Sequence, residues 1–171
     1  MAVVLKLREY HWSGSEYVPG TTYNWQPLPK SVTKQVEITW RIRHRGRRKL
    51  KKAKYRVRET ITYTLSGSLP DTNTAQSGDL DRKTLEWLVK RNSKFKILNP
   101  SELGADEELP DIFITPDPES GTQEPEDVFV VLKNVKFTGT EGKIGWYDYN
   151  ITLERVNCYQ ISGYSDPWKC K

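Results

Sequence analysis

Several stretches of the chain alternate cleanly between apolar and polar residues. In residues 36–43 (VEITWRIR), Val36, Ile38, Trp40 and Ile42 fall on one side, and Glu37, Thr39, Arg41 and Arg43 on the other. A period of two is that of a half-buried β-strand. Residues 55–65 (YRVRETITYTL) repeat it: Tyr55, Val57, Ile61, Tyr63 and Leu65 share a side with Glu59, and Arg56, Arg58, Thr60, Thr62 and Thr64 line the other. Only HRGRRKLKKAK lies between. The simplest structure is a long antiparallel hairpin over 36–65 with a basic tip. Residues 146–156 (WYDYNITLERV) alternate again, with Tyr147, Tyr149, Ile151 and Leu153 opposite Asp148, Asn150, Thr152 and Glu154. Residues 128–137 (VFVVLKNVKF) are nearly continuous in apolar residues, which predicts burial on both faces or a bulge near Asn134. Residues 2–8 and 94–98 read as short strands, and 112–115 as a strand remnant.

One helix is predicted, over 79–92 (DLDRKTLEWLVKRN). Leu80, Leu85, Leu88 and Val89 recur near helical spacing, Asp79 or Asp81 is placed to cap it, and Lys90 and Arg91 suit the cationic preference of a last turn. Residues 11–29 are rich in Gly, Ser, Pro and aromatics. They read as an ordered loop whose Trp12, Tyr17, Tyr23 and Trp25 pack on a surface, most simply the chain's own core. Residues 99–109 and 116–126 read as acidic loops, and 138–144 as a turn with two glycines. Strands, one helix, then strands predict a mainly β fold: an antiparallel β-barrel or sandwich with one flanking α-helix and a long basic β-hairpin. The 171 residues suffice for a single β-rich domain over 1–156, with 157–171 as a C-terminal arm.

Charge changes the picture. Residues 41–58 (RIRHRGRRKLKKAKYRVR) hold eleven Lys or Arg and no acid; the other sixteen of the 27 bases face all 22 acids. The basic pI therefore comes from one local feature. A mirror image lies at 101–132, with ten acids and no Lys or Arg. Nucleic acid, a membrane surface, or the acidic stretch of a neighbouring copy could meet the basic one. A membrane lacks support, because no apolar anchors flank the tip and no apolar run approaches the ~20 residues of a membrane span. The start, MAVVLKLREY, is charged too early for a signal peptide, so a protein made and used without secretion is expected.

Catalytic chemistry is hard to find. The chain has no Gly-rich phosphate loop, no nucleophile elbow and no pair of histidines at ligand spacing. An enzyme is not expected, nor a cofactor. Two cysteines and the distant His11 and His44 make no zinc site by spacing. Cys158 and Cys170 are equally readable as a disulfide or as two free thiols.

The second half carries a recognisable order: ETITYTLSGSLP, the helix KTLEWLVKRN, FKIL, then VFVVLKNVKFTGTEGKIGWYDYNITLERV. Over residues 58–156 this resembles the tail-tube and baseplate tube-adaptor superfamily of phage-type contractile and long-tailed injection machines. The resemblance implies a small β-barrel with one helix on its flank. It implies copies joined in a ring, commonly of six, around a central channel, with rings stacked into a tube or capping its baseplate end. Partners would be further copies and neighbouring tail or baseplate proteins, and the location the virion tail, assembled in the host cytoplasm. The hairpin of such subunits reaches a neighbour. Here Arg45, Arg47, Arg48, Lys49, Lys51, Lys52 and Lys54 would form the basic side of that contact. Glu102, Asp106, Glu107 and Glu108, or Glu119, Glu124, Glu126 and Asp127, would form the acidic side. The eleven bases depart from the pattern expected of a DNA-passing channel, so they are not all expected to face the lumen. The competing reading is a nucleic-acid-binding domain using 41–58, through salt-sensitive phosphate contacts. Against it, the strand faces show no basic-aromatic platform for single strands. A basic hairpin that is merely solvated is the plainest alternative.

Overall fold

The computed structural model describes residues 2–45, 51–71, 78–91, 93–114, 127–139, 142, 144–156, 158–160 and 168–170, with the backbone alone at 41–45, 51–58, 159–160 and 168–170. In chain order the elements are β1 (Ala2–Val3), β2 (Lys6–Trp12), β3 (Tyr17–Asn24), β4 (Ser31–Arg45), β5 (Lys51–Pro70), α1 (Arg82–Lys90), β6 (Ser93–Ile97), β7 (Glu107–Glu108), a 3-10 turn (Asp111–Phe113), β8 (Val128–Gly139), β9 (Trp146–Val156), β10 (Cys158–Gln160) and β11 (Trp168–Cys170). Nine strands form one antiparallel sheet in the order β10-β11-β3-β2-β6-β8-β9-β5-β4, and β1 pairs with β7 apart from it.

The fold is mainly β, but the sheet is open: β4 and β10 are its two edges and do not meet. The expected closed barrel is therefore corrected; among the described residues the other sheet is the two-stranded β1–β7 pair. The physical reason lies in what covers the apolar face. Leu80, Leu85 and Leu88 come from α1 and its approach, and Leu109 and Phe113 from the segment after β7. They bury Leu7, Leu65, Phe95, Ile97, Val130, Ile151 and Leu153 of the sheet. Burial is achieved by a helix and a loop, so closure is not required.

The helix is shorter than its apolar pattern. Asp81 is the N-cap, its carboxylate accepting the Thr84 N–H at 2.7 Å. Asp79 instead accepts a bond from the Asn24 side-chain amide and makes a bridge beside β3. The helix ends before Arg91, whose guanidinium pairs with the buried Glu9 of β2 at 3.1 Å and stacks on Trp87.

Residues 11–29 form more regular structure than a loop. β2 continues through Trp12, and β3 pairs back along it. Pro19 and Gly20 hid this strand from a reading by composition. Pro19 sits opposite Tyr10, where the β2–β3 register shifts, the kind of irregular position at which a strand tolerates proline. Beyond β3, Trp25 is fully buried. Its backbone N–H donates to Leu5 O, and its indole N–H donates to the Tyr149 hydroxyl at 2.9 Å. Tyr149 is packed so closely that a Cβ on Gly67 would lie 2.9 Å from its hydroxyl oxygen.

Other differences are local. The remnant expected at 112–115 is a 3-10 turn opened by Pro110. In β8 the register shifts between Leu132 and Asn134, so Val130 and Val135 can both face the core. The C-terminal residues join the sheet, Trp168 of β11 lying opposite Tyr17 of β3. Cys158 is disulfide-bonded, and Cys170, the other cysteine of the chain, lies directly opposite it.

Replacing Trp25 by Phe should keep the fold but leave the buried Tyr149 hydroxyl without its donor. The expected loss is about 1–3 kcal/mol of stability, read by urea unfolding. Burial also raises the Tyr149 pKa far above its ordinary 10.0, against the hydrogen bond from Trp25, which lowers it. The unfolded phenol ionises first, so stability falls as pH rises above about 10. Tyr149→Phe should flatten that part of the alkaline decline.

Candidate assembly surface

The basic stretch is carried by the outer half of the β4–β5 pair. β9 accompanies β5 from Thr62 to Pro70, whereas β4 stays paired from Ser31↔Ser66 out to Arg45↔Lys51. From Val36↔Ile61 outward the two strands therefore have no third strand beside them among the described residues. At 3.2–3.4 Å per residue this outer part of β4, residues 36–45, spans roughly 30 Å. The core stops near its base, at Val32 and Ile61. Val36, Ile38 and Trp40, which sequence alternation assigns to a buried side, are 50%, 38% and 47% exposed.

Arg45 lies opposite Lys51, and His44 opposite Lys52, while Lys54 pairs with Ile42. Like charges directly across a strand pair oppose its formation unless an anion compensates. Arg47, Arg48 and Lys49 lie outside the described residues.

The acidic stretch divides into charges its own fold uses and charges it does not. Lys96 of β6 is 8% exposed at its side chain and meets Glu102 at 3.0 Å and Asp127 at 3.2 Å. Burial pulls the Lys96 pKa down, but its bonds and attraction to the two carboxylates outweigh that and raise it. Arg8 of β2 reaches Glu102 at 3.6 Å, and Asn99 donates to Asp127. Lys6 holds Glu107 at 2.9 Å, and its hydrogen bond with the Gly104 N–H lowers the Glu107 pKa further. These contacts fasten the segment after β6 against β2 and β6. Asp106 and Glu108 are exposed, and no ion pair involves them among the described residues. Glu119, Glu124 and Glu126 lie outside the described residues. Within one chain the structure thus brings Glu102 and Asp127 together on a lysine of the sheet.

Sequence reading missed the exposed Val36–Ile38–Trp40 stripe. Its signal was length: a strand pair reaching far past the other alternating strands has nothing left to pack against. Also missed was a shallow groove of about 550 Å³, lined by Asn134, Lys136, Thr138, Asp148 and Asn150 of the face away from α1 and by the core residue Tyr149. Among the described residues no cluster of His, Cys, Asp or Glu could hold a metal ion, and no helix is long and apolar enough to cross a membrane. No protein-family model matches the chain, and no curated protein matches its sequence.

Lys96→Met should leave Asp127 without its lysine and Glu102 with Arg8 as its remaining cation. Both are partly solvated, so the expected cost is about 1–3 kcal/mol, below that of a fully buried pair. Amide hydrogen exchange should rise most over residues 99–109.

Proposed function

We propose that the protein is a structural subunit of a phage-type tail, forming a ring in the tail tube or at its baseplate end. The observation that carries this reading is the outer half of β4–β5, which supports a hairpin reaching across to a neighbouring copy. Among the described residues it has no third strand beside it, leaves Val36, Ile38 and Trp40 about half exposed, and carries eight of the eleven bases of 41–58. A two-stranded ribbon alone is marginal in water, and a long edge strand with exposed apolar residues invites pairing. A neighbouring subunit would relieve both conditions. The acidic stretch at 101–132 supplies the opposite charge, and within it Asp106 and Glu108 are free of ion pairs among the described residues.

On this reading the protein works by shape and charge, without a catalytic site or cofactor. Its partners are further copies and adjacent tail or baseplate proteins, and its place is the virion tail. A strongly basic ribbon also suits a nucleic-acid backbone, which would make the protein a binding domain instead.

Light scattering across low and high salt, without nucleic acid, separates the two. The expected wild-type result is a discrete ring or a tube population that weakens with salt. Reversing Arg47, Arg48, Lys49 and Lys51 to Glu should leave a folded monomer by circular dichroism. Normal assembly of the reversed variant would sink the proposal. A wild-type monomer in every salt that binds labelled DNA or RNA would favour the nucleic-acid reading.

A further inference from the structure

The sheet face turned away from α1 has an unusual composition where β8, β9, β5 and β4 run side by side. Register aligns its residues in rows: Asn134, Thr152, Thr64 and Thr33; then Lys136, Asn150, Ser66 and Ser31; then Thr138, Asp148 and Ser68. These rows hold hydroxyls, two amides, one ammonium and one carboxylate. A merely solvated sheet face needs polar residues but has no need to exclude long charged ones. Short Ser, Thr and Asn side chains hold their donors and acceptors in place at little rotamer cost, whereas Lys and Glu do not.

Three observations give this face the character of a site. A groove runs along it over Asn134, Lys136, Thr138, Asp148 and Asn150, with the core residue Tyr149 also in its lining. Asp148 is oriented by Ser68, whose hydroxyl donates to its carboxylate. Strand alternation puts Trp146 on the same side of β9 as Asp148, two residues before it, and its side chain is 43% exposed.

We propose that this groove binds a neutral saccharide. A sugar ring carries hydroxyls that both donate and accept, matched by the amides of Asn134 and Asn150, the Asp148 carboxylate and the Lys136 ammonium. It also carries an apolar C–H face, matched by the exposed indole of Trp146, an apolar body with a polar tip. The alternatives fit less well. A phosphate backbone would meet Asp148 and, among the described lining residues, Lys136 as the one cation. A protein interface would want an apolar centre, which these rows lack. The site does not depend on the assembly reading, because none of its residues belongs to the outer half of β4–β5.

The test is NMR titration of the isotope-labelled full chain with glucose, galactose, mannose and N-acetylglucosamine, with glycerol as the control. A shallow open site should bind on the order of 1–10 mM. Support would be shifts from at least one sugar, confined to Trp146, Asp148, Asn150, Asn134, Lys136 and their row neighbours. They should weaken at least tenfold in Trp146→Ala and in Asn150→Ala, both exposed positions whose variants keep the wild-type spectrum elsewhere. Absence of shifts with all four sugars, equal shifts with glycerol, or binding unchanged in both variants would overturn the proposal. The charge-reversed variant of the basic tip should bind sugar as the wild type does, so the two readings fail independently.

Discussion

One buried contact holds the two halves of the sheet to a common core. Trp25 leaves β3 beside β2, yet its indole donates to Tyr149 of β9, 124 positions away in sequence and nearer the far edge of the sheet. The rings sit 5.7 Å apart, and Gly67 of β5 leaves room for the tyrosine hydroxyl. Next to Gly67, the Ser66 carbonyl accepts the Lys30 N–H where β4 begins. The β3–β2 side and the β9–β5–β4 side are thus tied to one aromatic pair. A side chain on Gly67 would push at the tyrosine and at the Lys30 backbone together, so three strands depend on the same few ångströms of space.

Charge is apportioned with similar economy. Lys6, Arg8 and Lys96 spend their charges on Glu107, Glu102 and Asp127, and so fix an otherwise irregular acidic segment against the sheet. Of these, only Lys96 is close to fully buried, and it is met by two carboxylates rather than one. That is the condition under which a desolvated ammonium remains charged. The proposed assembly would give the bases of 41–58 a partner in another subunit.

The two sheet faces then divide the work. One is apolar and covered by α1, which gives the fold its stability. The other is polar along β8, β9, β5 and β4 and carries the groove over Asn134, Lys136, Asp148 and Asn150. An antiparallel sheet with one buried face leaves the opposite face free to vary in chemistry without disturbing the core.

Much of this was legible in the residues. Alternation in 55–65 and 146–156 assigned Tyr63, Leu65, Tyr149, Ile151 and Leu153 to one side, and these are core residues. The period of a strand records which side chains share a face, and that is a local property. The apolar spacing around Leu85 and Leu88 likewise marked α1, although only the geometry at Asp81 decided where it starts. Other features were not local. Alternation assigned Val36, Ile38 and Trp40 to a buried side, but burial needs an opposing layer, and that layer ends at Val32 and Ile61. Pro19 and Gly20 disguised β3, whose existence rests on β2 and β11 as neighbours. The acids of 101–132 read as one uniform patch, yet ion pairing with distant lysines and an arginine separated Glu102, Glu107 and Asp127 from Asp106 and Glu108. The sequence by itself determined the alternating strands of 55–65 and 146–156, the helix and the charge imbalance, because these follow from neighbours along the chain. Tertiary structure alone decided that the sheet stays open, which face is covered and which acids are already neutralised, because each depends on residues that meet only after the chain has folded.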